Sequence, residues 1–449
     1  MSSLPASAAV AGRPQAGGCA VIVDGHSTGR FLARAFARLG TPSVHVQSLA
    51  LGAGRAPFAD EYLALLAVNE GAQATPPAAD VAARDYLAQV DAHATLDELV
   101  DRLAPYPVTA VVAGIEGPNV DVADALAERL GLPCNEPALR LARRDKLAMT
   151  RALAAAGVRC LPTERATDAD DAVAAWRAFG ERRVVVKPAT SAGADDVRLC
   201  RTAAEVRAAH EAIVGKLNLC ETYNDASLVQ VFAEGVEHIV NFVSEGGRHV
   251  VTDVWRYRRR WNDERAAVCL GSDLLDGQGA VENELIAYAR DVLDALGVRV
   301  GPSHAEIMLT PDGPVLIELG ARVMGGAIDS DLFVRAGAHS QVAATAEAYV
   351  RPVLLHARAQ PYRRVERVAL VNLVSTRAGE IAAVDEHALD GLRTLRTLVV
   401  HVGAGDRLHP AGDYGTCPGF ALLADPDPEV VEADLATLRR IEHRLFTLV

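Results

Sequence analysis

The hydrophobic pattern of residues 303–322 predicts a β-hairpin, because apolar and polar side chains alternate on both sides of a Pro-Asp-Gly turn at 311–313. The turn sequence suits a three-residue loop whose glycine adopts the left-handed conformation. Such a loop pairs Glu306 with Glu318 and places His304 on the same face of the sheet. The opposite face is apolar and consists of Ala305, Ile307, Leu309, Val315, Ile317 and Leu319.

The facing carboxylates are the chemical feature of this hairpin. Like charges directly opposite each other on neighbouring strands destabilise the pair. A hard divalent cation held by the oxygens of Glu306 and Glu318 would turn that repulsion into coordination. Two glutamates on a solvated sheet face are the alternative interpretation, and the hairpin alone does not decide between the two.

Residues 18–140 have the pattern of a parallel α/β domain. Apolar runs at 19–24, 42–47 and 108–114 alternate with helical patterns, which is the rhythm of βαβ units. Glu116 follows the third run, at the end of a strand where open α/β sheets place ligand groups. The loop after the first run lacks the glycine spacing of a dinucleotide-binding turn.

The remaining chain is predicted to mix helices and strands. A basic segment at 256–265 is interpreted as a solvated loop, with a lid over an anionic substrate as the alternative. The last 90 residues or so are predicted to be an α+β unit without candidate catalytic residues. Helices are predicted at 138–156, 203–217, 282–296 and 428–445, and strands at 182–187, 227–232, 238–244, 248–254, 368–374, 395–402 and 420–424.

Composition excludes several classes of protein. At 449 residues the chain is long enough for about three domains, yet no apolar run approaches the roughly 20 residues of a membrane span. A net charge of −13 argues against nucleic acid as a partner. Seven scattered cysteines without a CxxC pair fit a reduced, cytoplasmic protein without a zinc site. Residues 1–17 are predicted to be a disordered tail rather than a signal peptide.

Lysine is rare in this chain, since only three of its 45 basic residues are Lys. Lys187 ends the apolar run 182–187 and precedes a loop of small residues at 188–196. A charge at the end of a buried strand needs a partner, and the hydroxyl and backbone N–H groups of such a loop suit phosphate oxygens. A polar hairpin with a solvated lysine is the alternative, since no Walker-type P-loop is present. Lys146 and Lys216 lie on predicted helices, where solvation is the simpler interpretation.

Five features follow one another in a fixed order: Asp145-Lys146, Lys187 with its loop, Gln230 to Glu237, Glu306, and Glu318-x-x-x-Arg322. In this order they resemble the ATP-grasp superfamily. The likeness is greatest to the carboxylate–amine ligases that join L-amino acids into dipeptides. The motifs that carry it are Lys187-Pro188-x-x-Ser191-Ala192-Gly193, Thr252-Asp253-Val254-Trp255, His304-Ala305-Glu306 and Glu318-x-x-Ala321-Arg322.

The resemblance implies an ATP-grasp fold of α/β and α+β domains. An N-terminal parallel-sheet domain would span 18–140, and an ATP-grasp domain would span 141–358 with a lid subdomain at about 180–235. A small C-terminal α+β domain would span 359–449. The implied cofactors are ATP and Mg²⁺, with Mn²⁺ as an alternative metal.

The resemblance also implies a role for each site residue. The lysines would contact the ATP phosphates beneath the small-residue loop, while the main chain at 230–232 meets adenine and Glu237 meets the ribose. Arg322 and Lys187 would stabilise charge on the transferred phosphoryl group. His304 would position the carboxylate substrate or simply pack beside the metal. The implied nucleotide-binding residues are Lys146, Lys187, Ser191, Ala192, Gly193, Gln230, Val231, Phe232 and Glu237, and the implied metal ligands are Glu306 and Glu318.

Two positions depart from the superfamily pattern. Val231 stands where relatives usually have an acid, so adenine recognition there must rest on backbone groups. Gly320 stands where many members have Asn in Glu-x-Asn-x-Arg, so a ligand from that position is lost.

The implied reaction activates a carboxylate as an acyl phosphate and then forms an amide with an amine, releasing ADP and phosphate. Both substrates would be small molecules, namely amino acids, and the protein would be a homodimer without a membrane or nucleic-acid partner. Three alternatives stay open: a ligase that loads an amino acid onto a carrier protein or another amine, an enzyme like biotin carboxylase or the purine-pathway carboxylate enzymes, and a nucleotide-binding module without turnover.

Overall fold

The computed structural model describes residues 17–48, 86–91, 95–218, 220, 222–261, 267–326, 328, 330–411 and 416–449, and within these ranges the strands form four sheets. The tail predicted at 1–17 lies outside the described residues except for Gly17, and so do residues 262–265 of the basic segment. In the part of the chain that is described, no helix is both long and apolar enough to cross a membrane.

The N-terminal unit comprises β1 (Cys19–Val23), α1 (Phe31–Arg38), β2 (Ser43–Gln47), β3 (Ala88–Asp91), α2 (Leu96–Leu103), β4 (Val108–Ala113) and α3 (Asn119–Arg129). Its strands run parallel in the order β3-β2-β1-β4, which confirms the predicted βαβ rhythm. Because both faces of the sheet are covered, β1 is apolar throughout. Val21 and Val23 pack with α2 and α3, while Ala20 and Ile22 pack with α1.

Helix α4 (Lys146–Ala155) leads from this unit into the next. The side chain of Asp145 accepts hydrogen bonds from two backbone N–H groups of the first turn and so caps the helix. The helix therefore begins at Lys146, and the prediction of a helix from residue 138 is wrong. The preceding residues form two short 3-10 turns at Pro137–Leu139 and Leu141–Arg143.

The next unit comprises β5 (Thr163–Ala166), α5 (Ala169–Ala178), β6 (Val184–Lys187), β7 (Arg198–Cys200), α6 (Ala203–Ile213) and β8 (Ser227–Val231). It contains most of the lid subdomain predicted at about 180–235, and we call this unit the lid. Its antiparallel sheet has the order β5-β8-β6-β7. Side chains alternate along β6, so that Val184 and Val186 pack under the two helices. Val185 and Lys187 consequently face the opposite side, which is the side of the cleft described below.

The largest sheet joins the central and C-terminal parts of the chain in the order β13-β12-β9-β10-β11-β14-β18-β16. Its central elements are β9 (Val236–Glu245), β10 (Arg248–Trp261), β11 (Ala267–Leu274), α7 (Ala280–Ala295), β12 (Gly301–Thr310), β13 (Gly313–Gly320), α8 (Asp331–Arg335), α9 (Gln341–Val350) and α10 (Pro352–His356). The C-terminal elements are β14 (Arg367–Asn372), β15 (Gly379–Val384), β16 (Leu395–Val400), β17 (Arg407–Leu408), β18 (Gly419–Asp425), α11 (Pro428–Ile441) and β19 (Phe446–Leu448).

Three of the C-terminal strands, β14, β18 and β16, thus extend the central sheet, while β17, β15 and β19 form a three-stranded sheet of their own. They also enclose a separate apolar core with α11, which includes Leu423, Val431 and Leu438. The domain boundaries at 140 and 358 stay predictions, while the ATP-grasp-like combination of a parallel sheet with antiparallel sheets agrees with the predicted fold class.

The first part of the basic segment is a strand, because β10 continues to Trp261 and pairs with β11. The interpretation of residues 256–261 as a solvated loop is therefore wrong. Alternation divides the segment between two faces. Arg256 and Arg258 form ion pairs with the buried Asp273 on one face, whereas Tyr257 and Arg259 lie on the face of the cleft described below.

Candidate active site

A cleft of about 1320 Å³ opens where the lid sheet, the eight-stranded sheet and the carboxyl edge of the parallel sheet meet. It gathers residues that are remote in the chain, such as Glu116 after β4, Lys187 at the end of β6 and Glu318 on β13. Every site residue predicted from the sequence lines this cleft. The structure brings these residues together, while their roles in a reaction stay predictions.

The hairpin at the floor of the cleft forms with a different turn from the one predicted. Thr310 pairs with Gly313, so the loop has two residues instead of three and the register beside it is shifted by one. Ile317 is an extra residue on β13, and the resulting bulge restores the predicted pair of Glu306 with Glu318. Ile317 lines the cleft as Glu318 does, so its predicted place on the apolar face is wrong.

Glu306 sits among hydrogen-bond donors and cations. Its Oε1 accepts a hydrogen bond of 2.8 Å from the hydroxyl of Tyr257, and its Oε2 lies 3.9 Å from Arg259 Nη2. Burial favours the neutral acid, but the charge of Arg259 and the hydrogen bond from Tyr257 outweigh burial and hold the pKa of Glu306 below its usual range. The group is therefore an ionised oxygen donor at neutral pH.

Lys146 joins three parts of the site. Its Nζ donates to Glu318 Oε1 at 3.0 Å and to the carbonyl oxygen of Ser191 in the lid loop at 2.6 Å. Burial favours the neutral amine, but Glu318 and Glu116 outweigh it and raise the pKa of Lys146. The prediction of a solvated lysine is thus wrong for Lys146, which is only 6% exposed. Lys216 is exposed as predicted, but it lies beyond α6, which ends at Ile213, so the predicted helix 203–217 is too long.

Lys187 is the other buried lysine, with 4% of its surface exposed. No described residue forms an ion pair or hydrogen bond with its ammonium group, although the side chain lines the cleft. Burial and the nearby Lys146 lower the pKa of Lys187 to about 8. The side chain is consequently a cation at neutral pH whose charge has no partner within the described protein.

The small-residue loop after Lys187 has an unusual backbone. Gly193 has a φ of +65°, and Ala194 and Asp196 share the left-handed region with φ of +64° and +48°. That conformation costs a residue with a Cβ about 1 kcal/mol or more, so the loop stores strain. Ser191 helps to hold it, because its hydroxyl donates to Asp195 Oδ2 at 2.7 Å.

The inner strand β8, which lies between β5 and β6, supplies the predicted adenine-binding stretch. Gln230 is buried and donates through Nε2 to Thr163 Oγ1 at 2.9 Å. The N–H groups of Val231 and Phe232 donate to the carbonyl oxygens of Pro162 and Arg183 at 3.0 and 3.1 Å. These two N–H groups are therefore engaged within the lid, and recognition through this stretch must use carbonyl oxygens or the N–H groups that follow.

Glu237 is buried and forms an ion pair with the partly buried Arg259, with 3.0 Å between Oε1 and Nη2. Burial, opposed by Arg259 and reinforced by Glu306, raises the pKa of Glu237 to about 7. The guanidinium also stacks on the Tyr257 ring, at 4.4 Å from the ring centroid. Sequence reasoning missed Arg259 and Tyr257, although the alternation of β10 would have placed them on one face.

His304 is held by a chain of buried polar groups. Its Nδ1 lies 2.8 Å from Asn241 Oδ1, while Asn241 Nδ2 donates to the carboxylate of Asp253. Trp255 Nε1 donates to the same carboxylate. Since Asn241 offers an oxygen, His304 must donate from Nδ1, which leaves a lone pair on Nε2. Burial and Arg322 lower the pKa of His304, so the ring is neutral.

Arg322 approaches the floor from the end of β13. Its Nε donates to Glu116 Oε2 at 2.8 Å, and its Nη1 donates to the carbonyl oxygen of Val323 at 3.1 Å. Burial raises the pKa of Glu116 against the attraction of Arg322. The position of Glu116 after β4 was its only signal in the sequence, and the structure brings it to the centre of the cleft.

The cleft offers no activated thiol. Cys220 lines it, but burial, together with Glu116, raises the pKa of this thiol to about 12. Burial likewise raises the pKa of Cys269, which lines the cleft as Cys200 does. Catalysis through a cysteine thiolate is not supported by this arrangement.

Comparisons with known proteins agree with this geometry. The ATP-grasp domain family matches residues 143–326. Dapdiamide A synthase of Enterobacter agglomerans is 30% identical over 437 residues, which cover 95% of this chain and 96% of that protein.

Solved structures show the same fold. An L-amino acid ligase from Bacillus licheniformis superposes with a TM-score of 0.72 at 16% identity, over 97% of this chain and 100% of that chain. A carboxyaminoimidazole ribonucleotide synthase from Aspergillus clavatus, solved with ATP, gives a TM-score of 0.65 at 16% identity, over 95% and 99% of the two chains. The chain therefore belongs to the ATP-grasp family, in its branch of carboxylate–amine ligases.

Proposed function

We propose that the protein uses ATP to join the carboxylate of one amino acid to the amine of another, releasing ADP and phosphate. One observation carries the proposal: Lys146, Lys187 and Arg322 line the same cleft as the paired carboxylates of Glu306 and Glu318. A site that gathers cations and metal-binding oxygens without a protein nucleophile suits phosphoryl transfer between bound substrates. The relation to dapdiamide A synthase and the fold of an L-amino acid ligase support amino acids as substrates.

The proposed reaction has two steps. A carboxylate oxygen attacks the γ-phosphorus of ATP, the bond to the β–γ bridging oxygen breaks, and ADP leaves behind an acyl phosphate. The unprotonated amine of the second substrate then attacks the acyl carbon. The tetrahedral intermediate expels phosphate, which keeps one oxygen of the original carboxylate, and the nitrogen loses a proton. Both steps develop negative charge, which Arg322 and Lys187 would stabilise.

Glu306 and Glu318 fit the Mg²⁺ or Mn²⁺ expected of the family. They are carboxylates on facing strands at the floor of the cleft, and the pKa of Glu306 lies below its usual range. Phosphate oxygens and water would supply the remaining ligands of the metal. When bound, the metal would neutralise phosphate charge and polarise the γ-phosphoryl group.

The nucleotide would lie between the lid and the floor. Lys146 and Lys187 would contact its phosphates under the loop that holds Ser191, Ala192 and Gly193. Glu237 would accept hydrogen bonds from the ribose, and the carbonyl groups at 230–232 would meet the adenine amine. The lid loop, fastened to α4 by Lys146, would exclude water from the acyl phosphate.

His304 would contact the substrates above the metal. With Nδ1 donating to Asn241, its neutral ring can only accept at Nε2. An acceptor suits the amine of a substrate better than a carboxylate, so we assign His304 to the amine instead of the carboxylate that the sequence suggested. The cytoplasm is the proposed compartment, since all seven cysteines are free thiols. A homodimer stays a prediction.

The test is a screen of amino-acid pairs for ADP release that depends on both substrates, with the amide product identified by mass spectrometry. A carboxylate labelled with ¹⁸O should transfer one label to phosphate, because the acyl phosphate keeps that oxygen. ADP release without an amide, or labelled water as the only source of oxygen in phosphate, would contradict the mechanism. A protein that binds ATP but turns over no pair would be a nucleotide-binding module.

A further inference from the structure

A side chain at Gly320 would collide with the end of the Glu116 side chain. A Cβ built on this residue would lie 2.1 Å from Glu116 Oε2 and 3.3 Å from Arg322 Nε. The first distance is far below any real carbon–oxygen contact, and the atom concerned is a carboxylate oxygen fixed by a hydrogen bond to Arg322. A side chain at 320 would therefore force Glu116 away from Arg322.

Conformation does not explain this glycine. Gly320 has no positive φ, unlike Gly313 at the start of the same strand with a φ of +106°. Any L-residue could adopt its backbone geometry. Position 320 therefore has a glycine for its small size and not for its conformation. The side chain of Glu116, which is 206 residues from Arg322 in the chain, occupies the space beside it.

The two contacts of Arg322 fix the orientation of its guanidinium group. Glu116 Oε2 accepts from Nε at 2.8 Å and the Val323 carbonyl oxygen accepts from Nη1 at 3.1 Å. No described residue accepts a hydrogen bond from Nη2. Because the guanidinium is planar and rigid, fixing Nε and Nη1 also fixes the direction of Nη2, and the residue lines the cleft.

We propose that Glu116 is a positioning residue that reaches over Gly320 and aligns Arg322 with the reacting acyl phosphate. The inference rests on the proposed function, since it assigns Glu116 a role in that reaction. Glu116 belongs to the N-terminal unit and Arg322 to the strand that carries Glu318, so the catalytic cation is aligned only while the two units are in contact. The N-terminal unit thereby takes part in chemistry through one carboxylate.

The experiment is a double-mutant cycle on kcat with the variants E116A, G320A and E116A/G320A. E116A removes the carboxylate and G320A displaces it, so each should lower kcat roughly 10- to 100-fold, the range expected when a catalytic group is misplaced. Because both changes break the same contact, the double variant should be no worse than E116A within about threefold. The KM for ATP should stay within about twofold in all three, since phosphate contacts are retained.

Two further variants control for folding and charge. E116Q is isosteric and keeps an oxygen acceptor, so it should recover part of the kcat lost in E116A. D331A removes the carboxylate of Arg38–Asp331, another ion pair of 2.8 Å between the N-terminal unit and the rest of the chain but outside the cleft. It should leave kcat unchanged. Thermal unfolding of each variant checks that a lost kcat is not a lost fold.

The proposal is overturned if E116A keeps kcat within threefold of the wild type, or if the losses of E116A and G320A multiply in the double variant. A KM for ATP that rises in parallel with the loss of kcat would show a structural role for Glu116 and would also overturn it. Failure of the wild type to form any amide is a different result, because it refutes the proposed function before the variants are compared.

Discussion

Raising the pH above 8 should weaken nucleotide binding through Lys187. The pKa of this lysine is lowered to about 8 because the amine is buried beside Lys146. A bound triphosphate favours the charged amine, so binding is coupled to protonation of Lys187. The lowered pKa means that the ammonium is present below pH 8 and is lost as the pH rises through 8, and affinity should fall in the same direction.

The size of the effect follows from the titration. Between pH 7 and pH 9 the charged fraction of Lys187 falls from roughly nine-tenths to roughly one-tenth, so the Kd of a triphosphate should rise about tenfold, or about 1.4 kcal/mol. Glu237, with a pKa of about 7, and a terminal phosphate, which titrates near pH 6, change their protonation mainly below pH 8. Protonation changes above pH 8 therefore belong mainly to Lys187.

The assay is isothermal titration calorimetry with a non-hydrolysable ATP analogue and Mg²⁺ in buffers of different ionisation enthalpy. Binding should take up roughly half a proton at pH 8 and nearly one at pH 9, as expected for a single linked site. K187R keeps its charge across this range and should show neither the proton uptake nor the rise in Kd. A wild-type Kd that is flat from pH 7 to 9, with no proton uptake, refutes the reasoning.

Three other variants test separate parts of the structure. Glu318→Gln should abolish ADP release while leaving the unfolding temperature within a few degrees, and turnover near the wild-type rate would mean that the metal assignment is wrong. Tyr257→Phe removes the hydrogen bond to Glu306, the metal ligand that we propose, and should raise the Mg²⁺ concentration needed for half-maximal rate roughly tenfold, as measured by metal titration. Arg143→Ala leaves Asp124 buried without its 2.7 Å ion pair and should lower the free energy of unfolding in urea by roughly 3–5 kcal/mol. Its control, Arg129→Ala, removes an exposed ion pair and should lower that free energy by about 1 kcal/mol or less.

The sequence predicted those parts of the site that depend on the alternation of side chains along a strand and on the order of motifs along the chain. Alternation placed Glu306 opposite Glu318, and the rarity of lysine singled out Lys187. The turn was predicted with one residue too many, and the pair survived only because the bulge at Ile317 compensated for it. Bulges depend on the fit of a strand to both of its neighbours, and that fit is a tertiary property which local patterns do not contain.

Other parts of the site depend on contacts that no local pattern encodes. Glu116 followed a strand in the N-terminal unit, but its contact with Arg322 requires two units to pack with Gly320 between them. Arg259 stood in a run of arginines that resembled a solvated loop, and only the pairing of β10 with β11 separated its two faces. The sequence showed Gly320 as a departure from the family pattern. It did not show that the Glu116 side chain occupies the space beside this glycine.

The charges of the cleft explain why Lys187 differs from its neighbours. Lys146 is paired with Glu318, Arg259 with Glu237, and Arg322 with Glu116. Among the lysines and arginines that line the described part of the cleft, Lys187 alone has no carboxylate within 4.0 Å. A triphosphate arriving with a divalent metal would therefore meet one cation that is already available, while Lys146 becomes available only as the metal takes over Glu318. A buried charge without a partner is unfavourable, and burial lowers the pKa of Lys187, so we expect this ammonium group to bind the phosphates.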